Sequence, residues 1–519
     1  MGYREVLQRV SLAHVCGDAL IGASAGLALY SAFPPLGWWW MTIPALALFI
    51  SRIDEARAPR ALTVTMCFGM SMWLPLIDWV PMAVGMKPAW FVLALAQTLF
   101  LCGWVLFTRW TQLWSWARGP LMQALLYAIT WAGVDAARSR WPWSGFPWGG
   151  TTVVTAAVVF LAVLTRRMFA YRDAAVRREH WFSRPLLAIL VLAGVIAPLA
   201  IPLSNKAEEG TLRVGVVQGD IALPGTRAYS HPGEVTGNNL RASRTLAADP
   251  ALVDKPIDVA LWGEGSVDRD PVLFGDIGAL VDEASVALDA PILIGYTNLN
   301  ERDRVKNWLA LWRPGVGVDE QARYSKHVPV PFGEFIPFRE LVSSFATQAA
   351  QAAKDMEAGD EIPLMSVPAR DGRLVPVAVG ICFEGAYPSV IGEGVAAGGQ
   401  MIVTPSNNYH FRSSGESAQQ GQLLRMRAME YSRSAVQSST TGHSYVIRPD
   451  GSVLASTDTE SVATLVADVP LRSSLTLTAR AGERIPLACM GLSLVIGLAG
   501  TVTAIRWRVA ERAARATTR

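Results

Sequence analysis

The feature that most constrains this chain is where its apolar residues fall. Residues 12–203 are a series of long apolar runs separated by short polar breaks, residues 205–484 read as ordinary globular sequence, and residues 485–507 are apolar again before a basic tail. A helix that crosses a bilayer needs roughly 20 mostly apolar residues. Eight runs approach that length: 12–33, 36–51, 61–80, 90–108, 119–136, 149–165, 185–203 and 485–507, the second and sixth being short. The first is long and leads directly into further spans, so it is not read as a cleavable signal peptide. The expectation is a polytopic α-helical membrane domain of about eight transmembrane helices with an inserted globular domain. Its boundaries are 1–204 for seven spans, 205–484 for the inserted domain, and 485–519 for the last span and basic tail.

Orientation follows from the Lys and Arg residues of the short connections, which are retained on the cytoplasmic side. With the N-terminus inside, the inner segments hold eighteen of them, six between 166 and 184 and five from Arg506 to Arg519, while the outer short loops hold only Lys87, Arg138 and Arg140. Both ends are therefore expected in the cytoplasm and the inserted domain on the outer face of the cell membrane. The net charge of +3 is a topology signal, with no nucleic-acid partner implied. The tail R-W-R-V-A-E-R-A-A-R reads as a membrane-surface anchor. Asp18, Asp78 and Asp135 lie within or near spans, where acids are functional candidates by default. Asp78 and Asp135 sit near expected span ends and read as interfacial, which leaves Asp18 as the one to test.

In the inserted domain, short runs rich in Val, Ile and Leu recur between turn signals, at 212–218, 257–262, 291–296, 308–312, 374–382, 401–406, 435–440 and 444–448. Several are near-continuously apolar, as for strands covered on both faces. Helical patterns alternate with them at 236–248, 272–288, 388–397 and 416–432, which indicates an α/β layered domain. R-P-D-G at 448–451 is a hairpin signal between two strand-like runs.

Cys382 is the only cysteine of the inserted domain, so no internal disulfide can form there. No C-x-x-C pair or His cluster has zinc-ligand spacing, and neither metal nor cofactor is expected. A lone cysteine is most often a small buried apolar residue, a strand-end glutamate a solvated cap, and a lysine among prolines merely exposed. In α/β sheets, however, sites gather at the carboxyl ends of strands. Three polar residues stand there: Glu264 in L-W-G-E-G-S, Lys326 in Y-S-K-H-V-P-V-P-F-G-E-F-I-P, and Cys382 in V-G-I-C-F-E-G-A-Y, closing the run at 374–382. A carboxylate can take a thiol's proton, and an ammonium can stabilise the oxyanion that forms on an attacked carbonyl. With the backbone N–H of Phe383 as a second donor, the set suits acyl transfer through a thioester.

The order Glu, Lys, Cys in these contexts resembles the nitrilase superfamily. With spans before and after the domain, the whole chain is similar to the membrane-bound apolipoprotein N-acyltransferases, on K-H-V-P-V-P-F-G-E-F-I-P, G-I-C-F-E, L-L-R-M-R-A-M-E-Y-S-R and W-P-W-S-G-F-P-W. The resemblance implies an α-β-β-α sandwich, with Glu264 as base, Lys326 as oxyanion donor and Cys382 as nucleophile. Glu334 and Glu384 match further glutamates of the family, each with a structural alternative, and Arg425 and Arg427 fall in a helix that more often serves packing. Departures from the family pattern are the glycines flanking Glu264, Phe383 in place of a tyrosine, and S-N-N-Y-H-F at 406–411 for S-N-D-A-W. The usual tryptophan after the first strand is also missing, and Tyr229 is its candidate substitute.

The implied partners are a phospholipid acyl donor and a lipoprotein whose N-terminal cysteine carries diacylglycerol, with the enzyme acting as a monomer. An amine can outcompete water only in an apolar site closed by loops, expected at 222–240, 341–360 and 407–416. The competing readings are a membrane-tethered amidase or nitrile hydrolase and a non-catalytic lipoprotein-binding scaffold. A transporter is disfavoured, since the spans lack broken, repeated segments.

Overall fold

The structure is a computed structural model that describes residues 12–149, 152–169, 183–221, 231–340, 354–411 and 414–517. It forms two compact units. One runs to Val80, resumes over Lys87–Pro202 and takes in the chain from Glu483; the other holds Pro81–Met86 and Leu203–Gly482.

In the first unit a helix stands at each of the eight apolar runs: Leu12–Tyr30, Thr42–Glu55, Ala58–Leu76, Lys87–Thr111, Pro120–Arg138, Thr152–Phe169, Ser183–Ala200 and Arg484–Thr517. Three of them, Ala13–Tyr30, Lys87–Thr111 and Arg484–Ala514, are long and apolar enough to cross a membrane by length and composition alone; Pro185–Ala200 is apolar but shorter. Small residues set the closest packing. A Cβ on Gly22 would lie 2.5 Å from the Val64 carbonyl oxygen and one on Gly26 2.2 Å from that of Phe68, so a Gly-x-x-x-Gly face lets helix Leu12–Tyr30 seat on helix Ala58–Leu76. The buried acids are paired. Asp18 accepts from Arg52 Nε at 2.6 Å and Arg60 Nε at 2.5 Å, and Asp135 accepts from Arg138 Nε at 2.8 Å. Arg138 also donates to the carbonyls of Phe146 and Trp148, which ties down W-P-W-S-G-F-P-W. Asp78 is exposed. The test residue Asp18 is thus a structural anchor between helices.

The second unit contains two six-stranded sheets of matching design. Its strands are β1 (Thr211–Gln218), β2 (Val259–Trp262), β3 (Ile292–Leu299), β4 (Val305–Arg313), β5 (Gly317–Ser325), β6 (Leu364–Pro368), β7 (Leu374–Val379), β8 (Met401–Ser406), β9 (Ser434–Ser439), β10 (Tyr445–Ile447), β11 (Val453–Ser456) and β12 (Ala463–Pro470). The sheet orders are β12-β1-β2-β3-β4-β5 and β11-β10-β9-β8-β7-β6. In each, three parallel strands (β1-β2-β3 and β7-β8-β9) carry one antiparallel strand on one side and two on the other. Val214, Leu261, Leu293 and Leu309 of one sheet pack with Val377, Val379, Val403 and Val436 of the other, closing the middle of a sandwich. The outer face of the first sheet is covered by helices Glu234–Ala247 and Gly275–Leu288, through Leu240, Leu246, Ile277 and Val281. Helices Pro388–Ala396 and Glu416–Tyr431 cover the second, through Ile391, Val395, Leu424 and Ala428. This is the α-β-β-α layering implied by the resemblance.

One boundary differs from the sequence reading. The run 374–382 does not end as a strand at Cys382: β7 stops at Val379, and Cys382 opens a short 3-10 turn, Cys382–Ala386, with φ of +54°. Gly380 permits the break, since a Cβ there would meet Ile391 Cδ1 at 2.9 Å.

Candidate active site

β2 and β5 both run towards the same edge of the first sheet, and the residues just past their ends bring Glu264 and Lys326 together. Lys326 Nζ donates to Glu264 Oε1 at 3.2 Å and to Glu334 Oε1 at 2.6 Å. The lysine side chain is 1 % exposed, against 12 % for Glu264 and 20 % for Glu334. Burial alone would push Lys326 down, but the Glu264 and Glu334 carboxylates overcome it and hold the ammonium well above its ordinary range. Glu334 is itself raised, by burial first and by the Glu264 charge, with Lys326 opposing. Its second oxygen accepts from the Val330 N–H at 2.8 Å.

Glu264 is held from three sides. Asn307 Nδ2, on β4, donates to Oε1 at 2.7 Å. The Glu264 N–H donates to the Ser406 carbonyl at 3.2 Å, and its own carbonyl accepts from Thr440 Oγ1 at 2.7 Å. The glycines around it have separate causes. A Cβ on Gly263 would stand 2.3 Å from the Thr440 nitrogen, and Gly265 takes φ of +59°.

Cys382 is half-buried. Burial pushes its thiol well above the usual range, the Glu264 charge adds to this, and Lys326 opposes it. A thiol becomes a strong nucleophile only once its proton is removed. Gln420 Nε2, from helix Glu416–Tyr431, approaches the sulfur at 3.7 Å, and the Asn407 backbone N–H also donates to it. The positive φ at Cys382 is a conformation few side chains adopt, and it sets the thiol on a tight strand-to-turn corner.

The structure gives Glu384 a different place from Glu334. Glu384 is fully buried and receives four donors: the N–H groups of Ile381 at 2.7 Å, His327 at 2.7 Å and Val328 at 2.8 Å, and the Tyr324 hydroxyl at 3.0 Å. It clamps the Cys382 turn to the segment that carries Lys326. Burial pushes its carboxyl up to about 7, with Lys326 and these donors opposing. Phe383 is half-buried, its ring meeting Tyr387 edge-on at 5.7 Å. Tyr229 lies outside the described residues, as do 222–230, 341–353 and 412–413 of the expected loops. Arg425 Nε donates to the Gly451 carbonyl at 2.8 Å and buried Arg427 pairs with Glu430 at 3.0 Å, so both serve packing. Asn307, Glu416 and Gln420 had no motif to announce them and reach the site only through the fold, whereas Asn408 stands in the S-N-N-Y-H-F stretch.

A strand-end carboxylate, a buried ammonium and a thiol on a tight turn, in an α-β-β-α sandwich, define a carbon–nitrogen hydrolase type of domain. Residues 272–476 match the carbon-nitrogen hydrolase model, and residues 25–166 match the apolipoprotein N-acyltransferase N-terminal domain. An apolipoprotein N-acyltransferase of Mycolicibacterium smegmatis is 28 % identical over 496 residues, 89 % of this chain and 81 % of the relative. One of Ralstonia nicotianae is 28 % identical over 548 residues, covering 96 % of both chains. Saccharomyces cerevisiae Nit3, of the nitrilase superfamily, overlays 53 % of this chain at 14 % identity and a TM-score of 0.36. The chain thus carries a match to each of these two domain models and is similar along most of its length to apolipoprotein N-acyltransferases.

Proposed function

We propose that this chain transfers an acyl chain from a membrane phospholipid, through a thioester on Cys382, to the α-amino group of the diacylglyceryl-modified N-terminal cysteine of lipoproteins. The observation that carries the chemistry is the Lys326 ammonium held by Glu264 and Glu334; the charges of Lys326 and Glu264 also act on the Cys382 thiol. Glu264 takes the Cys382 proton as sulfur bonds to the ester carbonyl, and the Lys326 ammonium with the Phe383 N–H stabilises the oxyanion. As the C–O bond breaks, the proton passes from Glu264 to the departing lysophospholipid oxygen. In the second half the acceptor amine attacks the thioester carbonyl, Glu264 takes the amine proton, the C–S bond breaks, and the sulfur recovers the proton. One oxyanion donor of this kind contributes on the order of 3 kcal/mol to the barrier reduction. Glu334 keeps Lys326 charged and aimed, and Glu384 fixes the turn that presents the thiol.

Both substrates are anchored in the bilayer, and an enzyme in the same membrane meets them at a raised effective concentration. The eight helices are read as spans, with both ends cytoplasmic and residues 205–484 on the outer face, on the strength of the basic inner connections. The test is the intact mass of purified protein after incubation with phospholipid, for wild type and Cys382→Ala. A gain of one acyl chain on wild type alone, discharged by hydroxylamine and by a diacylated peptide with a free amine, supports the cycle. No adduct on wild type would overturn it in favour of a hydrolase or a binding scaffold.

A further inference from the structure

Next to the thiol lies a chain of buried polar groups that the cycle above does not use. Asn408 Nδ2 donates to Glu416 Oε2 at 2.6 Å and to Gln420 Oε1 at 3.0 Å, and Gln420 Nε2 then faces Cys382 Sγ at 3.7 Å. Asn408, Glu416 and Gln420 are 1 %, 2 % and 3 % exposed. Glu416 and Gln420 stand one turn apart on helix Glu416–Tyr431, so they share the face that looks towards the turn at Cys382. Gly442, at φ of +95°, leaves room for Asn408, since a Cβ there would lie 2.7 Å from its Oδ1.

An amide has one accepting and one donating end, and which end faces a given neighbour is set by what else is bonded. A carboxyl oxygen without its own proton only accepts. Glu416 Oε2 therefore requires the NH2 of Asn408, the same NH2 requires the oxygen of Gln420, and the NH2 of Gln420 is left facing the sulfur. Burial pushes the Glu416 carboxyl up to about 8, but with the proton on Oε1 the other oxygen still accepts, so the order of donors is the same in either protonation state. We propose that Glu416 and Asn408 are positioning residues that fix the Gln420 amide with its NH2 towards Cys382, where it stabilises negative charge on sulfur both as the thiol is deprotonated and as the thioester sulfur leaves. The inference rests on the reading of Cys382 as nucleophile.

The test uses full-length protein with the other four cysteines replaced by alanine. The readout is the rate of Cys382 alkylation by iodoacetamide between pH 6 and 10, beside the acyl-transfer rate. Gln420→Met keeps the side-chain volume and removes the donor, and Glu416→Leu removes the acceptor that starts the chain. Each is expected to slow alkylation below the thiol pKa about tenfold and to move its pH profile up by about one unit, the worth of one hydrogen bond to a charged group. Glu416→Gln restores an accepting oxygen and is expected to recover the rate to within about threefold of wild type. Gln420→Met alkylating at the wild-type rate overturns the proposal. So does a Glu416→Gln profile that falls with Glu416→Leu, because the charge and not the accepting oxygen would then matter. Should Glu416→Leu fail to fold, Gln420→Met decides alone. Alkylation needs no lipid, so a wild type that takes no acyl chain would sink the acyl-transfer reading while the alkylation result stands.

Discussion

At the scale of single residues, the site is a balance of two carboxylates against one ammonium. Removing Lys326 would leave Glu264 and Glu334 facing each other in a desolvated space, and breaking a buried pair in this way costs about 3–5 kcal/mol. Lys326→Met is therefore expected to be inactive and to unfold at a lower midpoint at pH 8. Without the ammonium the folded state would bind a proton more readily than the unfolded chain, so stability rises as pH falls through the raised carboxyl pKa. The deficit should shrink between pH 8 and pH 5, and a deficit independent of pH would show that charge is not its cause. Glu384→Gln makes a separate case. Glu384 accepts on both oxygens, so an amide in its place must aim an NH2 at a backbone N–H or at the Tyr324 hydroxyl. A cost of about 1–3 kcal/mol is expected, read as a lower unfolding midpoint with a slower iodoacetamide reaction at Cys382. The sequence announced Glu264 and Cys382 because each stands at the end of an apolar run, and strand ends are where sites form; Lys326 follows the polar β5 and was marked only by its proline-rich context and the resemblance it carries. It could not announce Asn307 or Gln420, ordinary amides inside a strand and a helix with no spacing to mark them. Nor could it separate Glu334, which touches the lysine, from Glu384, which holds the backbone, because both are glutamates close in sequence to a site residue.

At the scale of elements, the strands that the sequence hid are edges. β5, β6 and β12 were not legible, and β11 was visible only through the turn signal before it; these four are the outer strands of the two sheets. A central strand is covered on both faces and reads as a continuous apolar run, whereas β5 is G-V-D-E-Q-A-R-Y-S, half open to solvent. Helices were easier, because a buried stripe at helical spacing survives an exposed opposite face. The turn after β2 shows the reverse case, a signal that was visible but ambiguous. Gly263 lies against the backbone of Thr440 from the second sheet, so its lack of a side chain lets the two sheets meet beside Glu264. Gly263→Ala would drive a Cβ into that backbone, an overpacking that costs about 1–3 kcal/mol. The end of β2 would shift and take the Glu264 carboxylate away from Lys326. The variant is expected to lose acyl transfer more than stability, as measured by turnover against unfolding midpoint. Normal turnover would show that the sheets can part there without moving the Glu264 carboxylate.

At the scale of the molecule, the unit of helices and the sandwich have to be placed on a membrane, and the sequence carries more of that information than the fold does. Among the described residues three helices qualify as spans on length and apolarity, because the others are shorter or carry polar residues that face neighbouring helices. Asp135 is an example: it lowers the apolarity of helix Pro120–Arg138, yet it is buried against Arg138. The basic residues are a cleaner signal, since retention of Lys and Arg on the cytoplasmic side depends on charge and not on packing. The proposed topology has eight spans, an even number, which would put both ends on one side and the sandwich on the other. Single cysteines in a background lacking the native ones test this in intact cells with a membrane-impermeant maleimide. Arg302→Cys, whose side chain is 79 % exposed on the sandwich, should label without permeabilisation. Glu55→Cys, at the end of helix Thr42–Glu55 and 46 % exposed, should label only after it. Labelling of both from outside would mean that an odd number of spans separates position 55 from the residues assigned inside. The charge asymmetry would then have misplaced a helix. Protection of Arg302→Cys would put the sandwich in the cytoplasm, away from lipoproteins presented on the outer face, and the acyl-transfer reading would have to be abandoned.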